Sequence, residues 1–400
     1  MPSSPIAGAV PSASVNTASG IQILIMAVAA FIIVTTEFLI VGLLPSLARD
    51  LDISIALAGQ VVTLFAFTVM LFGPYLTARL AHVERKKLFT LILLVFAASN
   101  VLAAVSTNIW VLAIARFIPA LALPVFWGTA SETAGQLAAP RQSGKAVAKV
   151  YLGISAALVF GVPLGTVAAD LIGWRGSFWV LAGVSLLIGV LMHLVMPKLP
   201  GSPVAAAGEK QTAILRQPRF LAHVLLSVLT FTAMFTAYTY LADILERLGG
   251  VPAGQVGWWL MGFGAVGMLG NHLGGSMVDK RPLGAMVVFL VVLGAGMTAA
   301  VAFAEQRAWL IAALIAWGIA YTALFPICQV RVMQAGAKAQ ALAASLNISA
   351  ANAGIGLGAI LGGLGIRQFG LDSLGLLATG MAVLALIVAL LMIKRPATAK

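Results

Sequence analysis

Charge is scarce in this chain. Only 9% of its 400 residues are Asp, Glu, Lys or Arg, where a soluble domain carries about a quarter. Acids are the rarer sign, 12 against 24 basic residues. The surplus does not point to nucleic acid, because the basic residues stand in ones, twos and threes between apolar runs. Cysteine occurs once, at Cys328, which excludes a disulfide framework and any multi-cysteine metal site. The four histidines, His82, His193, His223 and His272, have no spacing that would build a zinc site. No Gly-x-x-x-x-Gly-Lys-Ser/Thr loop is present to hold a nucleotide triphosphate. Neither a metal nor a cofactor is expected.

What fills the chain is apolar: 61% of its residues, with a mean hydropathy of +1.05. That is enough for about 12 membrane-crossing helices of ~20 residues each. Apolar segments recur at about 21–44, 57–80, 88–106, 109–131, 146–172 and 175–196. After a break they return at about 219–245, 254–277, 283–303, 308–330, 339–366 and 371–393. The runs are continuous rather than alternating, so helices are expected and barrel strands are not. The expected fold is an all-α membrane protein of twelve transmembrane helices in two six-helix bundles.

Residues 1–20 lack charged side chains and are rich in Ser, Ala and Pro, and read as a disordered tail. Residues 21–196 form the first bundle, 197–218 a linker with four prolines, 219–393 the second bundle, and 394–400 a short tail. With a cytoplasmic amino terminus, eighteen basic residues fall on inside segments and five on outside ones. This asymmetry places both termini in the cytoplasm. Leu152-Gly153-Ile154-Ser155-Ala156-Ala157 in span 5 returns as Leu346-Asn347-Ile348-Ser349-Ala350-Ala351 in span 11, an offset of 194 residues. Parallel six-span repeats suggest alternating access, with solute held between the halves.

Three local patterns carry a resemblance. Gly275-Ser276-Met277-Val278-Asp279-Lys280-Arg281-Pro282, between spans 8 and 9, is similar to the loop pattern of the major facilitator superfamily. Its counterpart between spans 2 and 3 keeps the basic cluster Arg85-Lys86-Lys87, but has Thr77, Ala81 and Glu84 where the pattern has glycine, aspartate and glycine. Span 5 holds Gly153 and Gly161-Val162-Pro163-Leu164-Gly165 ahead of Gly173-Trp174-Arg175, which resembles the antiporter motif of drug:proton exporters. Thr35-Thr36-Glu37-Phe38 with Val41-Gly42-Leu43-Leu44-Pro45, and Gln329-Val330-Arg331 with Asn347-Ile348-Ser349, resemble the sugar, arabinose and purine-nucleoside efflux branch of that antiporter family. The resemblance covers essentially the whole chain. It implies a proton-driven exporter of the bacterial inner membrane, working as a monomer on a small-molecule substrate.

The candidate site follows from charge and polarity inside the spans. Glu37 and Arg116 are read as the two ionised groups lying well within them, each roughly 10 Å from the outer surface at 1.5 Å per residue. Charge at that depth is costly and marks a function or a pair. Glu37 is expected to titrate the coupled proton, with Arg116 tuning it; a permanent structural ion pair and a binder of cationic solute are the alternatives. Candidate substrate contacts are Thr36, Phe126, Trp127, Tyr238, Tyr240, Asn347 and Asn352. For the aromatics the alternative is packing, for the tyrosines a membrane-interface belt, and for the asparagines hydrogen bonding to a neighbouring helix. Gly161, Pro163 and Gly165 are expected to let helices approach and bend. Arg85, Lys86, Asp279 and Lys280 are expected to gate. Neutral donors favour an uncharged solute: a sugar, a nucleoside or an amphipathic drug. A solute importer of the same fold is the other transport reading, and a membrane-embedded enzyme is a remote one, since no nucleophile–base constellation is apparent. Gly262-Phe263-Gly264-Ala265-Val266-Gly267 spells a dinucleotide fingerprint, but inside an apolar helix without a preceding strand.

Overall fold

The computed structural model describes residues 13–138, 143–201, 213–278 and 281–394, and among these there is helix and no strand. Lipid offers no hydrogen-bond partners to a peptide group, so apolar runs of this length satisfy their backbone internally as helices. The helices are α1 (Ala13–Asp50), α2 (Ile55–Leu80), α3 (Arg85–Ala104), α4 (Ile109–Leu137), α5 (Ser143–Ala156) and α6 (Val162–Val195). After the linker come α7 (Pro218–Tyr238), α8 (Ala253–Val278), α9 (Pro282–Ala302), α10 (Arg307–Ala335), α11 (Gln340–Phe369) and α12 (Leu374–Lys394). Local chemistry starts several of them. Ser54 accepts from the Leu57 amide at the head of α2, and Asn108 accepts from the Trp110 and Val111 amides at the head of α4. Pro218 and Pro282 stand in the first turns of α7 and α9, where a missing amide proton costs nothing.

Among the described residues, ten segments are long and apolar enough to cross a membrane. One of them, Lys149–Val195, has 47 residues, about 70 Å of helix and twice the hydrocarbon thickness. It turns back at Gly173, whose φ of 74° suits a residue without Cβ. This segment therefore makes the fifth and sixth passes. The glycines and paired tryptophans of α8 dilute its hydropathy, yet its 26 residues form a continuous helix that makes another pass. Twelve passes result.

The halves are α1–α6 and α7–α12. They meet where α2 lies along α11 and where α6 and the turn before it, Ala157–Gly161, lie along α8. One buried apolar cluster runs through both halves at the end of the molecule that carries Arg49, from Leu39, Leu43 and Val62 to Tyr240, Leu260 and Ile355. In the second half this cluster continues to Val278 and Met286 at the opposite end, which carries Arg85, but the first half parts from it there. Met26, Phe89, Phe126 and Met192 belong to a cluster confined to the first half, and Phe220, Val332 and Ala343 to one confined to the second. The halves are thus welded at the Arg49 end and separately packed at the Arg85 end.

The expected tail and linker are described only in part: residues 1–12 and 202–212 lie outside the described residues, and α1 begins at Ala13. The start of the linker is tied to the first half by the Arg85 amide, which donates to the Leu199 carbonyl at 2.9 Å.

Candidate functional site

The fifth pass, α5 with the start of α6, is built to lie against α1. A Cβ on Gly161 would stand 2.0 Å from Thr35 Oγ1, one on Gly153 2.3 Å from the Ala27 carbonyl, and one on Gly165 2.6 Å from Leu39. Between α5 and α6 the backbone widens into a π turn, Ala157–Gly161. Pro163 follows it and has no amide proton to return to the preceding turn, a known cause of such bulges. The Pro163 carbonyl in turn faces Gly257 of α8, where an added Cβ would stand 2.9 Å from it. These close approaches wedge the fifth pass between α1 and α8.

That packing sets the register of α1, and hence of Glu37. The side chain of Glu37 is partly exposed and reaches a cavity of about 10 Å³, space for roughly one water. Phe38, Val62, Phe65, Ala66 and Arg116 complete its wall from the first half, and Ile355 closes it from the second. Arg116 is 1% exposed and points across from α4. Its two terminal nitrogens donate to the backbone carbonyls of Thr36 at 2.5 Å and Glu37 at 2.6 Å. Its guanidinium also lies 4.6 Å above the Phe65 ring.

The sequence alternative of a direct ion pair is therefore corrected. Among the described ion pairs there is none between Glu37 and Arg116. The guanidinium fork is taken up by successive carbonyls, leaving the carboxyl group adjacent to a cation yet turned to the cavity.

The remaining candidates scatter. Thr36 is 1% exposed, and its hydroxyl accepts from Asn100 at 3.2 Å, joining α1 to α3. Phe126 is fully buried between Phe89 and Trp127, edge-on to both. Both are corrected from solute contacts to packing residues. Trp127 is half-buried and lies 5.2 Å from Tyr151, whose hydroxyl meets Ser131 at 3.2 Å.

Tyr238 and Tyr240 sit in the interior rather than in an interface belt, which corrects that alternative. Tyr238 stacks on Tyr321 at 4.5 Å within a group formed with Phe235 and Phe263. Phe38, next to Glu37, touches this group through Phe235 at 6.0 Å. Tyr240 donates to the Ala359 carbonyl at 2.8 Å and covers Gly59 of α2, so it seals the seam between the halves.

Asn347 accepts from Ser227 at 2.8 Å and donates to Gln329 at 2.7 Å. Asn352 donates to Ile348 at 3.0 Å, and its buried carbonyl oxygen has no partner among the described residues. Gly354, Gly358 and Gly362 face the backbone of α7, which accounts for that glycine ladder as packing within one half. Gly264 lies in mid-helix against Leu158, so the dinucleotide spelling has no turn to form in.

At the Arg85 end, Arg85 is fully buried and pairs with Glu132 at 2.9 Å, bracing α3 to α4. Lys86 is half-buried beside it. Asp279 and Lys280 lie outside the described residues.

Two features escaped sequence reasoning. Arg331, counted as a loop cation, is 1% exposed within α10 and bonds to His223 at 2.9 Å and Ser227 at 2.8 Å. Its apolar neighbours Val330, Val332 and Met333 continue the run past the expected helix end, and that was the available signal. The loop-charge asymmetry survives its removal. The second is an ion pair between Arg49 of α1 and Glu246, just past α7, which joins the halves at the end opposite Arg85. Long-range pairs of this kind have no signature in local sequence.

Comparison with known proteins agrees with this architecture. The profile of the Major Facilitator Superfamily matches residues 26–338 and 250–400. The inner membrane transport protein YdhP of Escherichia coli K12 is 33% identical over 90% of this chain and 94% of its own length. A probable sugar efflux transporter of Helicobacter acinonychis is 29% identical over 91% of this chain and 93% of its own. A bacterial homologue of the human lysosomal transporter Spinster, solved inward-facing and unoccupied, superposes with a TM-score of 0.81 at 16% identity, covering 98% of this chain and 100% of that one. Twelve passes in two halves, a polar site at their junction and a match spanning nearly every residue place this chain in the Major Facilitator Superfamily, as a membrane transporter.

Proposed function

We propose that this transporter exports a small, mostly uncharged solute, a sugar being the leading class, in exchange for protons. The observation that carries the reading is Glu37: a carboxyl group inside the membrane, open to a cavity between the halves, beside a cation whose two terminal nitrogens donate to backbone carbonyls. Such a carboxyl can gain and lose a proton without breaking a side-chain ion pair. Its ionised form is favoured by the nearby Arg116 charge and disfavoured by the apolar walls, so a change in hydration as the halves move alters the balance. The Helicobacter relative named as a probable sugar efflux transporter supports both direction and substrate class. The polar and aromatic side chains near the seam are suited to hydroxyls and rings rather than to ions.

Alternating access follows from the divided core. Halves joined at the Arg49 end and independently packed at the Arg85 end can rock about the seam. With the Arg85 end cytoplasmic, as the basic loops favour, the halves are joined on the outer side of an inner-membrane protein with both termini inside. The driving force is adequate: one proton moving down ~100 mV gains ~2.3 kcal/mol, and one pH unit adds ~1.4. One-for-one exchange then sustains roughly a 500-fold gradient of neutral solute. The protein functions as a monomer in this scheme.

The test is transport by purified protein in proteoliposomes with labelled sugars, nucleosides and phenicols. Uphill movement should require an imposed pH gradient. Glu37→Gln should abolish uphill movement and its pH dependence while retaining solute counterflow. A Glu37→Gln protein that still concentrates solute at unchanged proton stoichiometry refutes the coupling role.

A further inference from the structure

Arg331 anchors a polar chain that crosses three helices of the second half, and the direction of each bond in it can be worked out. An arginine can only donate. The Ser227 hydroxyl on α7 therefore accepts from Arg331, at 2.8 Å, and is left with its own proton to give. It gives that proton to Asn347 Oδ1 on α11, at 2.8 Å. This orients the Asn347 amide: its Nδ2 faces α10 and donates to Gln329 Oε1 at 2.7 Å. The Gln329 amide is oriented in turn, and its Nε2 is the donor at the end of the chain. Its only described partner is the Met333 sulfur, at 3.5 Å, a weak acceptor. The same arginine engages His223 Nδ1 at 2.9 Å, so that nitrogen accepts and the imidazole proton resides on Nε2. No carboxylate is among the described partners of Arg331; its job in this chain is to set polarity.

Gln329 is half-buried where Ser227, Asn347 and Arg331 are buried, so it is the member that reaches the edge of the chain. Along α10 it follows Tyr321 and Phe325 at intervals of four, which places the three on one face of the helix. That face begins at the aromatic group touching Phe38, the neighbour of Glu37, and runs toward the Arg85 end, where the two cores are separate.

We propose that Gln329 presents a hydrogen-bond donor to the transported solute and selects for an acceptor oxygen, with Arg331, Ser227 and Asn347 as positioning residues that set which end of the amide faces the solute. This rests on the transport reading of the preceding section, but not on proton coupling. The methionine sulfur holds the donor until a solute oxygen displaces it.

Two experiments decide it. The first needs no substrate. With Cys328 left in place, since it is fully buried beside Ser227 and Arg331, Gln329→Cys should react with a water-soluble methanethiosulfonate reagent applied from the Arg85 side, and the native protein should not. If the introduced thiol stays unreactive in the folded protein, the proposal is overturned.

The second uses counterflow of arabinose and its singly deoxygenated and singly fluorinated analogues. Fluorine keeps a weak acceptor and removes the donor, so the native protein should rank hydroxyl above fluorine above hydrogen at one solute position. Asn347→Asp keeps an acceptor for Ser227 but offers only an acceptor to Gln329. It should invert the glutamine amide, so that fluoro and deoxy analogues become equally poor there, with KM for the parent sugar raised at least tenfold and maximal rate little changed. Gln329→Ala should erase discrimination at that position altogether. Unchanged ranking in both variants refutes the role. If arabinose does not move at all, the sugar reading is what fails. The same comparison on inosine and its 3′-deoxy and 3′-fluoro analogues then applies, and the thiol reactivity of the Gln329→Cys variant still judges the inference.

Discussion

Replacing Gly161 by alanine tests how the fifth pass sets the position of Glu37. The added methyl would lie 2.0 Å from Thr35 Oγ1 and 3.0 Å from both Thr35 Cβ and Cγ2, where ordinary contact begins at 3.4 Å. The hydroxyl conflict demands a displacement of about 1.4 Å (3.4 − 2.0). Rotating Thr35 can turn the oxygen away only within the few χ1 wells that a helix leaves threonine, and Cβ stays at 3.0 Å in each. Overpacking of this kind costs ~1–3 kcal/mol, against which alanine regains up to ~1 kcal/mol of helix propensity. A net destabilisation of about 1–2 kcal/mol is expected, read as a lower thermal midpoint in detergent. Because Thr35 is followed directly by Thr36 and Glu37, the same shift disturbs the carbonyls that hold Arg116, and uphill transport should fall more than counterflow. Thr35→Ala removes the oxygen that suffers the 2.0 Å contact and leaves only the milder one at Cβ. The double variant should therefore recover most of the loss, with a coupling of at least ~0.5 kcal/mol, as expected for residues in contact. If Gly161→Ala is silent, or if Thr35→Ala merely adds its own effect, the close approach of these helices does not control the site.

Arg116→Lys keeps the charge but cannot span two successive carbonyls. It should lose one charge-assisted bond, ~1.5–3 kcal/mol, seen as reduced thermal stability and counterflow at least tenfold slower; wild-type behaviour contradicts the carbonyl clamp. The pair between Arg49 and Glu246 is partly exposed, with side chains 56% and 21% accessible, so it contributes at most ~1 kcal/mol. Arg49→Ala should raise the alkylation rate of a cysteine placed at Gln60, in the seam beside Gly363, by no more than about fivefold. High salt should mimic it in the native protein; a hundredfold rise means the seam has no other lock. Tyr240→Phe deletes the bond to the Ala359 carbonyl and should cost about 1 kcal/mol of stability with transport direction unchanged.

Membership in a class of twelve-pass proteins was legible because it rests on composition and run length. Lipid forces every apolar run of sufficient length into a helix, and basic residues punctuate the loops, so no long-range information is needed. Gly161, Pro163 and Gly165 were legible as packing residues for a similar reason: lack of a side chain or an amide proton is a local property. Glu37 and Arg116 stood out because charge within an apolar run is rare.

What each of those groups touches could not be read in this way. Arg116 lies beside Glu37, yet its donors are aligned with backbone carbonyls, a choice made by the rotation of α4 against α1. Phe126 and Trp127 are neighbours in sequence, but successive residues of a helix point about 100° apart; one fills the core and the other reaches its edge. Arg331 looks like a loop cation until α7 packs beside it and supplies a hydroxyl and an imidazole. The chain alone determined how many times it crosses the bilayer and which residues are too polar for that setting. Only the packing of one helix on another decided which of those polar groups meet, which are consumed by structure, and which remain free to meet a solute, because these outcomes depend on azimuth and depth, which a linear string does not encode.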